Sequence, residues 1–246
     1  MSEMITITND TYTIPAHLAS SEATEPRPAV ILVHEVWGLT DHIKNVTNRL
    51  SKEGFTVLAP DLLKGTELEE LITPEFVTDM SDPEKRAARQ IELRKLMAPL
   101  SSPEFSKNTI EKLQACFEYL KSKPEIGNVG VIGFCFGGTY SFGLATHQPE
   151  LKAAVPFYGH CDYSATELAN INCPILAFYG EQDHNLIDKL PELDAAMKAA
   201  GKDFTYKVYP DTGHAFFNDT NPVTYNASAA NDAWPRMLSF LHVQLG

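Results

Sequence analysis

The chain has 246 residues and a formal net charge of -12, with 43% hydrophobic and 21% charged residues. This composition is typical of a globular protein, and a chain of this length buries a large core without disulfides or metal ions. The negative charge repels phosphate backbones and anionic membrane surfaces, so we expect neither nucleic acid nor a membrane as a partner. The net charge does not exclude a small anionic substrate, because a local arginine can outweigh the overall electrostatic repulsion.

Cysteine usage and the first residues indicate the cytoplasm. The chain holds no C-x-x-C pair, and residues 1–6 lack the charged and then apolar layout of a signal peptide. No window approaches the run of about 18 apolar residues that spans a bilayer. We therefore expect a cytoplasmic protein, a monomer or a small homo-oligomer, with one domain over residues 1–246. Free thiols are expected at the four cysteines, Cys116, Cys135, Cys161 and Cys173.

Eight short runs of apolar or alternating residues predict β-strands. The first two, residues 4–7 and 11–14, flank Asn9 and Asp10 and predict a hairpin that stops at Pro15. Several of the later runs are continuously apolar, as the strands of buried parallel sheets are. These later runs cover residues 29–33, 55–59, 129–132, 153–157, 175–179 and 204–208.

Helical patterns separate the strands. Pro103 is a good first-turn residue, and apolar residues then repeat at three- and four-residue spacing. They are Ile110, Leu113, Phe117 and Leu120, and a closing helix repeats the pattern with Ala230, Trp234, Met237 and Leu241. Strands that alternate with helices predict an α/β fold, a mostly parallel sheet with helices on both faces and a hairpin at the N-terminus.

Residues 62–102 interrupt this alternation with many charges and no convincing strand. We predict two helices over one end of the sheet, the second capped by Asp82 with Pro83 in its first turn. The segment is a candidate lid over a functional site. The alternative is a solvated helical excursion with no role.

The most informative motif is Gly133-Phe134-Cys135-Phe136-Gly137, which directly follows the predicted strand at residues 129–132. This is the spacing of a nucleophile elbow, a tight strand-to-helix turn that exposes its central side chain above the sheet. Both flanking positions must be glycine or nearly so. The alternative is a packed core thiol, because free cysteine is among the most buried residue types.

A nucleophilic cysteine needs a base, and the base needs an orienting carboxylate. In α/β hydrolases the chain order is nucleophile, acid and histidine. Of the eight histidines, only His214 stands in a late glycine-containing loop after the last strand, and Asp183 follows the strand before it. We therefore predict Cys135, Asp183 and His214 as a triad, with Asp188 and Asp211 as alternative acids.

The first long predicted strand is followed by Glu35 and Val36. Acyl transfer needs donors for the developing oxyanion, and in this architecture they are the backbone N–H groups of Val36 and Phe136. Glu35 adds a carboxylate close to the thiol, and a nearby negative charge disfavours the thiolate. Glu35 is therefore either a gate on thiolate formation or a glutamate that points to solvent or pairs with a lysine.

Taken together, these motifs resemble the dienelactone hydrolase (carboxymethylenebutenolidase) family of the α/β hydrolase fold over nearly the whole chain. The matching segments are His34-Glu35-Val36-Trp37-Gly38, Ala59-Pro60-Asp61-Leu62, Gly133-Phe134-Cys135-Phe136-Gly137-Gly138, Gly180-Glu181-Gln182-Asp183 and Gly213-His214-Ala215-Phe216. The resemblance implies that the triad hydrolyses a small ester or lactone through a thioester acyl-enzyme, without a metal or cofactor. It also implies that Glu35 keeps the resting thiol protonated until substrate displaces the carboxylate.

Arginines bind the substrate carboxylate in this family. The position four residues after the histidine, where the family often keeps an arginine, is Asn218 here, which leaves dienelactone itself open as the substrate. Arg86 is the other implied position, and Trp37 and Tyr179 are candidate pocket residues.

Two other functions stay open at this point. One is a carboxylesterase or thioesterase with an unrelated substrate, and the other is a small-molecule binding protein that kept the fold without turnover. A metal site is not expected, because the cluster His160-Cys161-Asp162 has no second ligand pair at a usual spacing.

Overall fold

The computed structural model describes residues 1–20 and 26–246, which form an eight-stranded sheet. The strand order is β1-β2-β4-β3-β5-β6-β7-β8, and only β1 and β2, at one edge, are antiparallel to their neighbours. The predicted α/β fold with a mostly parallel sheet is confirmed. The strands are β1 Ser2–Thr8, β2 Thr13–Ala19, β3 Arg27–Val33, β4 Thr56–Pro60, β5 Ile126–Phe134, β6 Ala153–Phe157, β7 Ile175–Gly180 and β8 Phe204–Tyr209.

Helices cover both faces of the sheet. The helices are α1 Asp41–Lys52, α2 Glu67–Leu71, α3 Pro74–Ser81, α4 Pro83–Met97, the 3-10 helix η1 Ala98–Ser101, α5 Pro103–Lys121, α6 Phe136–His147, α7 Ala165–Leu168, α8 His184–Ile187, α9 Leu190–Ala199 and α10 Ala227–Leu245. A Cβ on Gly130 of β5 would meet Leu245 of α10, whereas one on Gly133 would meet Ser141 of α6. Because side chains alternate along a strand, α10 and α6 lie on opposite faces.

The predicted helical faces are buried as expected. Ser102 caps α5 by accepting a 3.2 Å hydrogen bond from the N–H of Phe105. Six residues of α5 are buried, and the four predicted apolar positions are among them. In α10 three of the four predicted positions are buried and Trp234 is half-buried, where it stacks under the Arg49 guanidinium at 4.0 Å.

The N-terminal hairpin is longer than predicted. Asn9 closes its turn, since the Asn9 Oδ1 atom accepts hydrogen bonds from the N–H groups of Thr11 and Tyr12 at 2.9 and 2.7 Å. The strand β2, however, runs through Pro15 instead of stopping there. Proline removes one donor from the ladder but keeps its carbonyl, and here that carbonyl accepts from the Asp61 N–H at 2.7 Å. The prediction that the strand stops at Pro15 was therefore wrong.

The segment 62–102 holds three α-helices and a 3-10 helix, so the prediction of two helices was wrong in number. A new helix starts at Pro74, because Thr73 accepts a 3.1 Å hydrogen bond from the Phe76 N–H and proline is favoured in a first helical turn. The predicted cap at Asp82 is present, since its carboxylate accepts from the Glu84 N–H at 2.9 Å.

The turn between β5 and α6 has the geometry of a nucleophile elbow. Cys135 sits at φ 56° and ψ -110°, a strained backbone conformation for a residue with a side chain. A Cβ on Gly133 would lie 1.9 Å from the Gly137 carbonyl oxygen, and one on Gly137 would lie 2.1 Å from that of Val33. Backbone meets backbone at both positions, so only glycine fits.

We expect Gly133→Ala to destabilise the protein by at least about 2 kcal/mol, because the new Cβ forces strand and helix apart. The free energy of unfolding from urea titration measures this loss. Gly127→Ala in the same strand is the control, since its Cβ would make only a 3.6 Å contact with backbone, and we expect a change within about 1 kcal/mol. Equal stability of the two variants would contradict the tight elbow.

Candidate active site

Three residues from three different strand ends meet above the sheet. Cys135 follows β5, Asp183 follows β7 and His214 lies in the loop after β8. His214 Nδ1 lies 2.5 Å from Asp183 Oδ2, and the Cys135 side chain forms a hydrogen bond with the same imidazole. The structure therefore brings together the three residues that the sequence order singled out.

The charge of His214 follows from its two partners. Burial by itself lowers the pKa of the imidazole, because it penalises the charged form. The nearby Cys135 and the hydrogen bonds to Asp183 and Cys135 outweigh burial and raise the pKa of His214 well above its ordinary value of 6.5. The imidazole is accordingly arranged to hold a proton between a thiol and a carboxylate.

The alternative acids lie outside this arrangement. Asp188 is exposed, and its carboxylate is 3.9 Å from His184. Asp211 is exposed in a left-handed turn at φ 52°. Asp183 is 6% exposed at its side chain, and of the three carboxylates only Asp183 contacts His214.

The two predicted oxyanion donors stand beside the thiol. Phe136 is the first residue of α6, where a backbone N–H has no partner inside the helix. Val36 follows the end of β3 in a turn closed by the Gly38 N–H to the Glu35 carbonyl at 3.1 Å. Within the described part of the chain, neither the Phe136 nor the Val36 N–H donates to a backbone carbonyl. Both residues line the same cavity as Cys135, so their amides are available to a bound oxyanion.

Glu35 is buried behind this site, and neighbouring side chains engage both of its oxygens. The Asn218 side-chain amide donates to Oε2 at 2.6 Å, and the Tyr158 hydroxyl donates a long hydrogen bond to Oε1 at 3.5 Å. Burial raises the pKa of Glu35 to about 7, although these two hydrogen bonds and His214 oppose the shift. Among the hydrogen bonds of the described residues, none joins Glu35 to Cys135.

Two residues that support the site were missed in the sequence. The His34 ring lies between two loops, with Nδ1 2.6 Å from the Glu35 carbonyl and Nε2 accepting from the Leu62 N–H at 3.1 Å. Burial lowers the pKa of His34, which suits a neutral ring with one donor and one acceptor nitrogen. Tyr158, at φ 39°, places its ring 5.0 Å from that of His214. Both residues directly follow the end of a strand, and this sequence feature could have identified them.

The thiol opens into a cavity of about 720 Å³. Met97 and Leu100, near the end of the segment 62–102, form part of its wall. The described lining residues are Val36, Met97, Leu100, Pro103, Ser106, Cys135, Phe136, Thr139, Tyr140, Tyr158, His160, Asp162, Tyr163, Lys189 and His214.

The residues proposed to bind substrate lie elsewhere. Asn218 is 6% exposed and bound to Glu35, while the Arg86 Nε donates to the Met80 carbonyl at 2.9 Å. Trp37 lines a separate pocket of about 120 Å³. None of the three is among the described lining residues of the large cavity. Tyr179 lines an adjoining pocket of about 190 Å³.

A model of the dienelactone hydrolase family matches residues 14–245. The chain belongs to the dienelactone hydrolase family. It is 34% identical, over 98% of both chains, to a Saccharolobus solfataricus protein with a provisional carboxymethylenebutenolidase name. A Methylorubrum extorquens protein with the same provisional name is 31% identical over 91% of this chain and 75% of its own.

Solved structures agree with the family assignment. A crystal structure from Klebsiella pneumoniae subsp. pneumoniae MGH 78578, provisionally titled a dienelactone hydrolase, superposes with a TM-score of 0.82 at 25% identity and covers 98% of each chain. The protein is thus a member of a family of hydrolases that act on esters and lactones, and its substrate is a small molecule.

The described residues offer neither a metal-binding cluster nor a membrane-spanning helix. No group of three or more histidine, cysteine, aspartate or glutamate side chains among them is placed to hold a metal ion. None of their helices combines the length and apolarity needed to cross a membrane.

The buried Glu35 predicts a pH-dependent stability. Its ordinary pKa is 4.5 and its folded pKa is about 7, so over this range the folded protein keeps a proton that the unfolded chain has lost. Stability therefore falls as pH rises through this window. Glu35→Gln removes the titration, and we expect its stability relative to wild type to improve by up to about 3 kcal/mol between about pH 5 and about pH 8.

Urea unfolding of both proteins at a series of pH values measures this difference. Glu53→Gln, at an exposed position, is the control and is expected to track wild type at every pH. A stability difference for Glu35→Gln that stays constant with pH would contradict a carboxyl group that is protonated in the folded state.

Proposed function

We propose that the protein hydrolyses small esters or lactones with Cys135 as the nucleophile and a thioester acyl-enzyme as the intermediate. The observation that carries the proposal is the chain of contacts from the elbow thiol to His214 and on to Asp183 at the floor of the cavity. A thiol, a base and an orienting carboxylate in this order perform nucleophilic acyl transfer.

In the first half of the reaction, His214 accepts the Cys135 proton and the sulfur attacks the carbonyl carbon. The carbonyl π electrons move to oxygen, and the Val36 and Phe136 N–H groups stabilise that oxyanion, each contributing roughly 3 kcal/mol. When the oxyanion collapses, the C–O bond to the alcohol breaks and His214 returns its proton to the leaving oxygen. A lactone opens at this step and stays attached as the acyl group.

In the second half, water attacks the thioester carbonyl while His214 takes a proton from it. The C–S bond then breaks, the acid product leaves and the thiol recovers its proton. Asp183 holds the imidazole through Nδ1, so that Nε2 faces the thiol in both halves. This orientation requires no movement of the histidine between the steps.

Glu35 acts on the thiol through its charge in this proposal. Its oxygens are engaged by Asn218 and Tyr158, so an ionised Glu35 influences Cys135 electrostatically and without direct contact. A negative charge in this buried region disfavours a second one on sulfur. Glu35 therefore restrains thiolate formation in the resting protein.

We expect Cys135→Ala and His214→Ala each to lower kcat/KM on p-nitrophenyl acetate at least about a thousandfold, and Asp183→Asn at least about a hundredfold. Asp188→Asn is the matched control, since this exposed carboxylate belongs to another ion pair, and less than about a twofold change is expected. Initial rates of p-nitrophenol release measure all four variants. Wild-type turnover that survives Cys135→Ala would refute the cysteine mechanism, and tight binding of a lactone without turnover would favour the non-catalytic alternative.

Glu35→Gln is expected to increase the rate at which iodoacetamide alkylates Cys135 severalfold at about pH 8, above the Glu35 pKa of about 7, because the restraining charge is gone. Mass spectrometry of the Cys135 peptide follows the reaction, with Cys135→Ala as the blank and Glu53→Gln as the control for a general charge change. An unchanged or slower rate would count against the restraint.

A further inference from the structure

Four apolar residues that line the cavity form what we call its apolar side. They are Met97 at the end of α4, Leu100 in η1, Pro103 at the start of α5 and Phe136 at the start of α6. The side chains of Met97 and Leu100 are only partly buried, so apolar surface stays uncovered there. Uncovered apolar surface inside a concave site is a typical binding surface for an apolar group.

The lining residues also include two opposite charges that pair with each other. The Lys189 Nζ lies 3.3 Å from Asp162 Oδ1, and both residues line the cavity. Among the described lining residues, Lys189 is the only lysine or arginine. A carboxylate on the substrate would therefore compete with Asp162 for this lysine.

Neither of the two positions where the family often keeps an arginine supplies a positive charge to the cavity. Asn218 is neutral and bound to Glu35, and Arg86 donates to a backbone carbonyl outside the cavity. A carboxylate placed against Met97 and Leu100 would lose hydration and meet no lysine or arginine other than Lys189 among the described lining residues, which is unfavourable.

Resting on the proposed cysteine mechanism, we infer that the natural substrate is an uncharged ester or lactone with an extended apolar acyl group. The apolar side formed by Met97, Leu100, Pro103 and Phe136 holds this group, and Lys189, the one lysine or arginine among the described lining residues, is already paired with Asp162. The volume of about 720 Å³ leaves room for much more than an acetyl group.

The first test uses wild-type protein and two substrate series. For p-nitrophenyl acetate, butyrate, hexanoate and octanoate, kcat/KM is expected to rise by about threefold to fourfold for each methylene group that reaches the apolar side. Dienelactone is compared with its methyl ester by following the ultraviolet absorbance of the lactone, and the methyl ester is expected to react at least about ten times faster, since burying a lone carboxylate is costly.

The second test changes the apolar side and the Asp162–Lys189 pair in separate variants. Leu100→Ala and Met97→Ala should lower the ratio of octanoate to acetate kcat/KM severalfold, whereas Ile91→Ala should leave it unchanged, because Ile91 lies on the same excursion and is 57% exposed. Asp162→Asn should release Lys189 and narrow the gap between dienelactone and its methyl ester. Asp188→Asn, which removes a charge next to Lys189 in the chain, should not.

The outcomes separate this inference from the mechanism. Cys135-dependent hydrolysis of acetate with a flat chain-length series, or with dienelactone preferred over its methyl ester, would overturn the substrate inference and leave the mechanism standing. Hydrolysis that does not depend on Cys135, or no hydrolysis of any substrate, would overturn the mechanism and the substrate inference with it.

Discussion

The close approach of backbone to backbone at the elbow is the constraint on which the site depends. The Gly137 N–H donates to the His34 carbonyl at 3.1 Å, and the Cys135 N–H donates to that of Phe157 at 3.0 Å. These two hydrogen bonds tie the nucleophile to the ends of β3 and β6, the two strands that flank β5. The loop that carries Glu35 and Val36 therefore reaches the thiol as a consequence of sheet geometry, and the side chains above it inherit that placement.

A neutral residue at position 218 links the electrostatics of the site to its choice of substrate. An amide stabilises a carboxylate less than a guanidinium does, so Asn218 leaves burial as the dominant influence and the pKa of Glu35 rises to about 7. The charge behind the thiol is thus sensitive to pH near neutrality. Because this asparagine is neutral, position 218 offers no positive charge to a substrate carboxylate. Both properties follow from one side chain that is turned inward, toward Glu35.

The proximity of Cys135, Asp183 and His214 could be predicted from the sequence, whereas the direction of several other side chains could not. Cys135, Asp183 and His214 each follow a strand, and parallel strands place their carboxyl ends at one edge of the sheet. Arg86 and Asn218 were proposed to bind substrate because of family positions, and Trp37 as a pocket residue. In the structure Arg86 donates to the Met80 carbonyl, Asn218 donates to Glu35, and Trp37 lines another pocket. In the fold, the strand positions followed from apolar runs, while the passage of β2 through Pro15 depended on a carbonyl partner at Asp61.

In the proposed mechanism, the division between sheet and excursion separates the reacting groups from the surface that faces the substrate. The proposed catalytic side chains are held by strand ends and by the elbow, where a single added Cβ meets backbone. Met97 and Leu100 come from the segment between β4 and β5, which no strand constrains. A substitution there changes the surface that faces the acyl group without moving the thiol, the imidazole or the oxyanion donors. Under the proposed mechanism, substrate preference is therefore set by the part of the chain that the reaction constrains least.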